Sequence, residues 1–213
     1  MRLLLIVLLF FSTTCFAQGD SLFQYRFAVK VAPLAPFMPY YGNSVRFGVD
    51  YRLNEKMAIV PEAGFFFYNG TGVCGRLELR FYNRVDDDGL GADYFSGELF
   101  YKYQDYTVKA FVDTADPYEQ NYIVAPEFNV TKNVECLTFK YGFQQVFRFG
   151  LVTDVFCGIG IRFQQTKNSL TPEENDWMEP TSDYGPNLIL NKERNLVYPN
   201  LVAGVRIGWR LKR

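Results

Sequence analysis

Base and acid alternate with leucine at a spacing of two in Arg76-Leu77-Glu78-Leu79-Arg80. In an extended chain that spacing sets the charged side chains on one face and the leucines on the other. The chemistry such residues offer is electrostatic: opposite charges crowded on one face neutralise one another as ion pairs. The same code recurs with Arg26 and Lys30; Arg46, Asp50 and Arg52; Glu62; Glu98 and Lys102; Lys140; Asp154 and Arg162; and Arg206 and Arg210. Together these residues form a candidate ionic network on the inner side of a closed sheet.

Catalytic alternatives are thin. The chain contains no histidine, which removes the Ser-His-Asp arrangements of hydrolases and acyltransferases and weakens any zinc site. Gly158-Ile159-Gly160 has the look of a nucleotide loop, but no helix or third glycine follows, and glycines that make room inside a tight barrel explain it better. Asp86-Asp87-Asp88-Gly89 lacks the remaining ligands of a calcium loop and reads as a solvated turn. No catalytic residue, cofactor site or metal site is expected.

Two groups suggest contact rather than reaction. Glu173, Glu174, Asp176, Glu179 and Asp183 surround Trp177, Met178 and Tyr184. An exposed aromatic among acids can anchor a partner, so Trp177 and Tyr184 are candidate loop contacts; a soluble loop lid is the plainer reading. Cys74, Cys136 and Cys157 remain once the first residues are set aside. Cys157 falls on the apolar side of its strand, whereas pairing of Cys74 with Cys136 stays open because another strand separates theirs.

Strands must position these groups. Alternation predicts about eight of them. The first, near Tyr25 to Ala32, sets Tyr25, Phe27, Val29 and Val31 outward with Arg26, Ala28 and Lys30 inward, and Pro33, Pro36 and Pro39 end it. The next run is Ser44 to Leu53, then Met57 to Tyr68 after the turn Asn54-Glu55-Lys56, with Pro61 an irregularity inside it. Further strands lie near Gly75 to Tyr82, Ser96 to Tyr106, Leu137 to Gln144, Asp154 to Gln164 and Asn200 to Arg213. Loops near Thr107 to Asn133 and Thr166 to Glu193 are the longest. Asn83 to Phe95 is longer than its place in the alternation of short and long connections allows, which predicts misplaced strand ends there.

The N-terminus reads as an address. Arg2, an apolar run from Leu3 to Phe11 and Phe16-Ala17 follow the pattern of a secretory signal peptide cleaved after Ala17. That run is too short for a spanning helix, and Ser12-Thr13-Thr14 before Cys15 lacks the residues lipoprotein processing favours. Residues 18–213 then make a single domain. Fifteen tyrosines and 21 phenylalanines coexist with 21% charged residues and a mean hydropathy of −0.10. A membrane barrel reconciles these, because its lipid-facing and lumen-facing residues average out along each strand. A net charge of −1 gives no basic bias toward nucleic acid.

Ala28-Val29-Lys30-Val31-Ala32-Pro33-Leu34, the hairpin from Val45 to Phe67, and Gly97-Glu98-Leu99-Phe100-Tyr101-Lys102-Tyr103 resemble the small outer-membrane β-barrel proteins of unknown function found in Gram-negative bacteria. The resemblance covers nearly all of the chain after residue 17, and it consists mainly of barrel grammar. It implies an all-β, antiparallel up-and-down transmembrane barrel of about eight strands with long extracellular loops. One departure is the ending Leu211-Lys212-Arg213, where many such barrels carry a terminal aromatic; Trp209 and Leu211 are the nearest substitutes.

The expected protein is a non-enzymatic outer-membrane barrel, porin-like in fold and monomeric. Its expected partners are outer-membrane lipid, the outer-membrane assembly machinery during insertion and an unidentified extracellular ligand or protein, with no nucleic acid. A narrow pore, a soluble secreted ligand-binding barrel and a histidine-free membrane enzyme are the alternatives. Eight strands enclose only enough space for side chains to fill, which disfavours the pore.

Overall fold

The computed structural model describes residues 25–33, 44–67, 70–85, 90–108, 111–113, 122–124, 127–172 and 193–211. Their strands are β1 (Phe27–Val31), β2 (Ser44–Asn54), β3 (Met57–Phe66), β4 (Thr71–Val85), β5 (Gly91–Val108), β6 (Phe111–Asp113), β7 (Tyr122–Val124), β8 (Phe128–Val146), β9 (Leu151–Asn168) and β10 (Arg194–Arg210). Eight of these close into one antiparallel barrel in the order β1-β2-β3-β4-β5-β8-β9-β10, with β10 hydrogen-bonded back to β1. Apart from the extra pair β6–β7, which lies between β5 and β8 in the chain, neighbours in the barrel are neighbours in sequence. This is an up-and-down, all-β closed barrel.

Closure removes the sheet edges that a flat eight-stranded sheet would expose. β1 is the shortest barrel strand, at 5 residues. Bonds beyond its ends extend the seam: Ala32 N donates to Arg46 O at 3.3 Å, Arg52 N to Arg26 O at 3.0 Å and Leu211 N to Phe27 O at 2.9 Å.

The two ends of the barrel differ. At one end the connections are residues 55–56, 86–90 and 147–150; at the other they include 32–43, 109–127 and 169–193. Gly150 lies in one of the short turns at φ 102°, a conformation glycine adopts freely, and its N–H donates to Phe147 O at 2.9 Å.

Burial alternates along the strands, with charged side chains inside the ring and apolar ones on its outer wall. Arg80 is 0% exposed, as are Asp50, Glu78 and Asp154, while Phe139 is 66% exposed and Leu99, Ile159 and Leu201 stand open on the outer wall. At the short-turn end the lumen is closed by an apolar layer of Tyr25, Ala28, Ala58, Tyr82, Ala92, Tyr94, Val146 and Val152.

Several boundaries differ from the alternation. β4 runs on to Val85 and β5 begins at Gly91, so most of Asn83 to Phe95 is strand and only residues 86–90 connect the two. A register shift between Tyr82 and Arg84 interrupts the two-residue period there and hides the strand end. β10 begins at Arg194, six residues before the expected Asn200, and Pro199 sits within it on the outer face. Pro61 lies opposite a gap in the β2–β3 ladder, which is paired at Gly48–Glu62 and resumes at Tyr51–Ile59. A residue without an N–H fits such a gap.

The first strand is corrected in its phase. Tyr25 is buried and Arg26 exposed, the reverse of the expected order, because Arg26 occupies a bend before β1 rather than the strand itself. Its guanidinium lies outside, 6.0 Å from the Phe27 ring centre and 5.8 Å from that of Tyr51, and donates to Tyr51 Oη at 3.3 Å. Arg26 therefore leaves the lumenal set. The segment 1–17, Asp86 to Gly89, Trp177 and Tyr184 lie outside the described residues.

Lumenal glycines make the tight packing feasible. A Cβ on Gly142 would stand 2.4–2.8 Å from atoms of the Tyr94 ring, and one on Gly204 would stand 2.7 Å from the Phe156 ring. Gly158 sits against the Lys140 side chain, which accounts for part of Gly158-Ile159-Gly160 without a nucleotide. Gly142→Val is expected to cost about 1–3 kcal/mol in reversible unfolding, because it must displace a filled neighbour. Gly97→Val is the control: nothing lies within 4 Å of a Cβ there, and its cost should be near zero.

Candidate functional site

All eight barrel strands contribute buried charged side chains to the lumen, from Lys30 on β1 to Arg206 on β10. Register places Asp154 on β9 opposite Arg206 on β10 and Gln144 on β8. Glu78 on β4 lies opposite Val60 on β3 and Glu98 on β5, which sets two carboxylates side by side. Like charges this close in a buried site require cations between them.

The cations are there. Arg80 Nε lies 2.9 Å from Glu78 Oε1, and its Nη2 lies 2.6 Å from Asp154 Oδ2. The same guanidinium packs 4.3 Å from the centre of the Tyr94 ring. Arg206 reaches four acids: Glu78 at 2.9 Å, Glu62 at 3.1 Å, Asp154 at 3.3 Å and Glu98 at 3.6 Å. Lys30 Nζ lies 2.7 Å from Asp50 Oδ2 and 3.5 Å from Asp154 Oδ2. Lys140 pairs with Glu98 and sits 3.6 Å from Glu78 Oε2. Arg76 Nε is 3.2 Å from Glu98 and its Nη1 3.6 Å from Glu62. Each acid thus has at least one cationic neighbour and none faces the wall alone, the arrangement buried carboxylates require.

A neutral relay completes the cluster. Tyr94 Oη donates to Asp154 Oδ1 at 2.6 Å, and Tyr25 Oη donates to Asp50 Oδ2 at 2.8 Å while accepting from Gln144 Nε2. Gln144 Oε1 accepts from Arg80 Nη1 at 2.9 Å, Tyr82 Oη at 2.9 Å and Lys30 Nζ at 3.2 Å. Arg52 lies over the Tyr82 ring, 3.9 Å from its centre. Tyr94 is absent from the residues the sequence singles out because it lies in Asn83 to Phe95, which the alternation assigns to a connection. Continuing the period of two back from Glu98 through Ser96 reaches it.

Above this cluster, toward the long-loop end, the lumen widens into a cavity of about 120 Å³. Arg46, Arg76, Lys102 and Arg162 line it together with Phe66, Phe100 and Phe156. Lys102 Nζ lies 4.5 Å from the centre of the Phe66 ring, and Arg162 stacks 5.3 Å from that of Tyr198 while donating to Gln164 Oε1 at 3.3 Å. Arg46 Nε donates to Ser44 Oγ at 3.0 Å. The inner aromatics Phe66, Phe100 and Phe156 carried no signal beyond their place in the alternation.

The remaining assignments divide. Arg210 is half-buried at the short-turn end, where it donates to Arg148 O at 3.2 Å, away from the ion cluster. Cys74 and Cys136 are both free thiols, buried in the lumen on either side of β5, and Cys157 is free and exposed on the outer wall. Among the described residues no group of three or more cysteines or carboxylates is arranged to hold a metal ion.

The outer wall has its own organisation. Toward the short-turn end aromatic pairs gather: Phe27–Tyr51 at 4.8 Å between ring centres, Phe95–Tyr141 at 5.2 Å and Phe149–Trp209 at 5.9 Å. Toward the long-loop end stand Phe65, Phe67, Tyr101, Tyr103 and Phe163. Between them the exposed wall is mainly aliphatic, through Val29, Val49, Leu77, Leu99, Leu137, Ile159 and Leu201.

Comparison with protein-family models, with curated proteins and with solved structures finds no match for this chain.

Proposed function

We propose that this protein is a non-enzymatic β-barrel of a bacterial outer membrane, a monomer with a structural or surface-interaction role exerted through its long-loop end. The observation that carries the reading is the inverted distribution of polarity: a buried ionic cluster inside the ring and an exposed aliphatic wall between two aromatic belts outside it. Water does not favour such a wall, whereas lipid hydrocarbon does, and belts of tyrosine, tryptophan and phenylalanine suit the two lipid–water interfaces. The 11 residues of β2 and 10 of β3 also match the roughly 9–11 that a tilted strand needs to cross. A soluble ligand-binding barrel would carry the opposite pattern.

The filled lumen argues against conduction. Arg80, Arg206, Lys30, Glu78 and Tyr94 occupy the middle and the short-turn side with almost no exposed surface. Extracellular partners would meet the long-loop end, the usual outward side of such barrels.

The test is direct. The mature chain is expected in the outer-membrane fraction, migrating faster on a gel before boiling than after, and giving no conductance steps in planar bilayers. Tags in the 169–193 connection should be accessible on intact cells and tags at Asn54 should not. Recovery from the soluble periplasm would overturn the assignment, steady conductance would replace the closed barrel with a pore, and the reverse tag pattern would invert the topology.

A further inference from the structure

We propose that the upper lumen is a binding site for a small organic anion: a carboxylate on a compact apolar body, such as an aromatic acid. The inference goes beyond the membrane assignment and does not depend on it, since the cavity lies inside the ring.

Charge comes first. Arg46, Arg76, Lys102 and Arg162 line the cavity against one lining carboxylate, Glu98, which already pairs with Lys140 and Arg76. Arg46 is the telling residue. It is only 9% exposed, donates through Nε to Ser44 Oγ, and makes no ion pair among the described residues. A guanidinium this buried is costly without an anion, and its remaining donors offer the planar fork that a carboxylate accepts.

Shape and polarity narrow the class. Phe66, Phe100 and Phe156 supply apolar wall beside the cations, which suits a ligand with an oily body better than an inorganic ion. The cavity of about 120 Å³ is of the same order as the roughly 150 Å³ cavities that accept benzene, which limits the apolar body to about one ring and excludes a long acyl chain. Below the cavity, the ion cluster and the tyrosine floor close the lumen, which leaves the long-loop side as the route of entry.

The probe is 4-fluorobenzoate, followed by fluorine NMR with the purified, folded full chain in dodecyl maltoside. Saturable binding is expected, weakened about tenfold or more by Arg46→Gln and by a smaller factor in Arg46→Lys, which keeps the charge but loses the fork. Val202→Phe fills the cavity from β10 without altering charge and should abolish binding. Neither acetate nor benzamide should displace the probe at equal concentration, because each has half of the recognised chemistry. A cooperative unfolding transition followed by circular dichroism verifies that each variant is folded. Absence of saturable binding to the unaltered protein, equal binding by folded Arg46→Gln and Val202→Phe, or displacement by acetate as effective as by benzoate would each overturn the proposal.

Discussion

Arg80→Leu is expected to destabilise the barrel by about 3–5 kcal/mol, among the largest effects any single replacement should produce here. Arg80 has no exposed surface and holds three acceptors at once: Glu78 at 2.9 Å, Asp154 at 2.6 Å and Gln144 at 2.9 Å. Leucine fills part of the volume but leaves three buried carboxylates, Glu78, Asp154 and, at 3.9 Å, Asp50, with one cation fewer. Arg206 remains 2.9 Å from Glu78 and 3.3 Å from Asp154, and Lys30 remains 3.5 Å from Asp154, which places the cost toward the lower end of that range. Arg80→Lys keeps the charge but not the fork that reaches two sides, so it should fall between leucine and the native residue. Adding Glu78→Gln to Arg80→Leu should recover part of the loss, because it removes an acid left short of positive charge. Reversible unfolding of the two single variants and the double variant gives the coupling energy. A neutral Arg80→Leu with no coupling to Glu78 would mean that the cluster fills space without holding the strands together.

The cluster was legible in the sequence because its residues obey one rule. Arg76, Glu78 and Arg80 share a face whichever partner strand they meet, and the two-residue period fixes that face without knowledge of the fold. Which acid meets which base was not legible. Arg206 reaches Glu62 and Glu78 on β3 and β4 because the ring closes, and closure is a property of the whole sheet. The ends of strands were lost where the period itself breaks, at the register shift near Tyr82 and at the bend that turns Arg26 outward. Tyr25 shows the same limit from the other side. Its place in the floor of the barrel depends on its hydroxyl reaching Asp50, a contact that local alternation contradicts. The basic cavity was hidden for a further reason: Arg46, Lys102 and Arg162 come from β2, β5 and β9, and only the register reveals that they face one space.

Leu99→Arg tests the outer wall, and the result expected in lipid is a loss of about 2–4 kcal/mol. Leu99 is 59% exposed and sits between Leu77 and Leu137 in the two adjoining ladders, at the height of the buried ion cluster. If that wall meets hydrocarbon, a guanidinium there has no water and no partner, and it must distort the bilayer or bend toward an interface. Val197→Arg supplies the depth comparison. Val197 is 65% exposed, also outward, but it lies near the long-loop end of β10, opposite Phe163. There the cost should fall to about 0–1 kcal/mol, since the side chain reaches the interface directly. Exposure alone cannot generate such a difference, because both sites are open. In water, both substitutions would replace a solvated apolar side chain with a solvated charge, and each effect should lie within about 0.5 kcal/mol of zero. Reversible unfolding in bilayers of fixed thickness therefore separates the two environments by a gradient rather than by a single value. Equal and small effects at Leu99 and Val197 would remove the membrane from the account while leaving the closed barrel and its ionic interior intact.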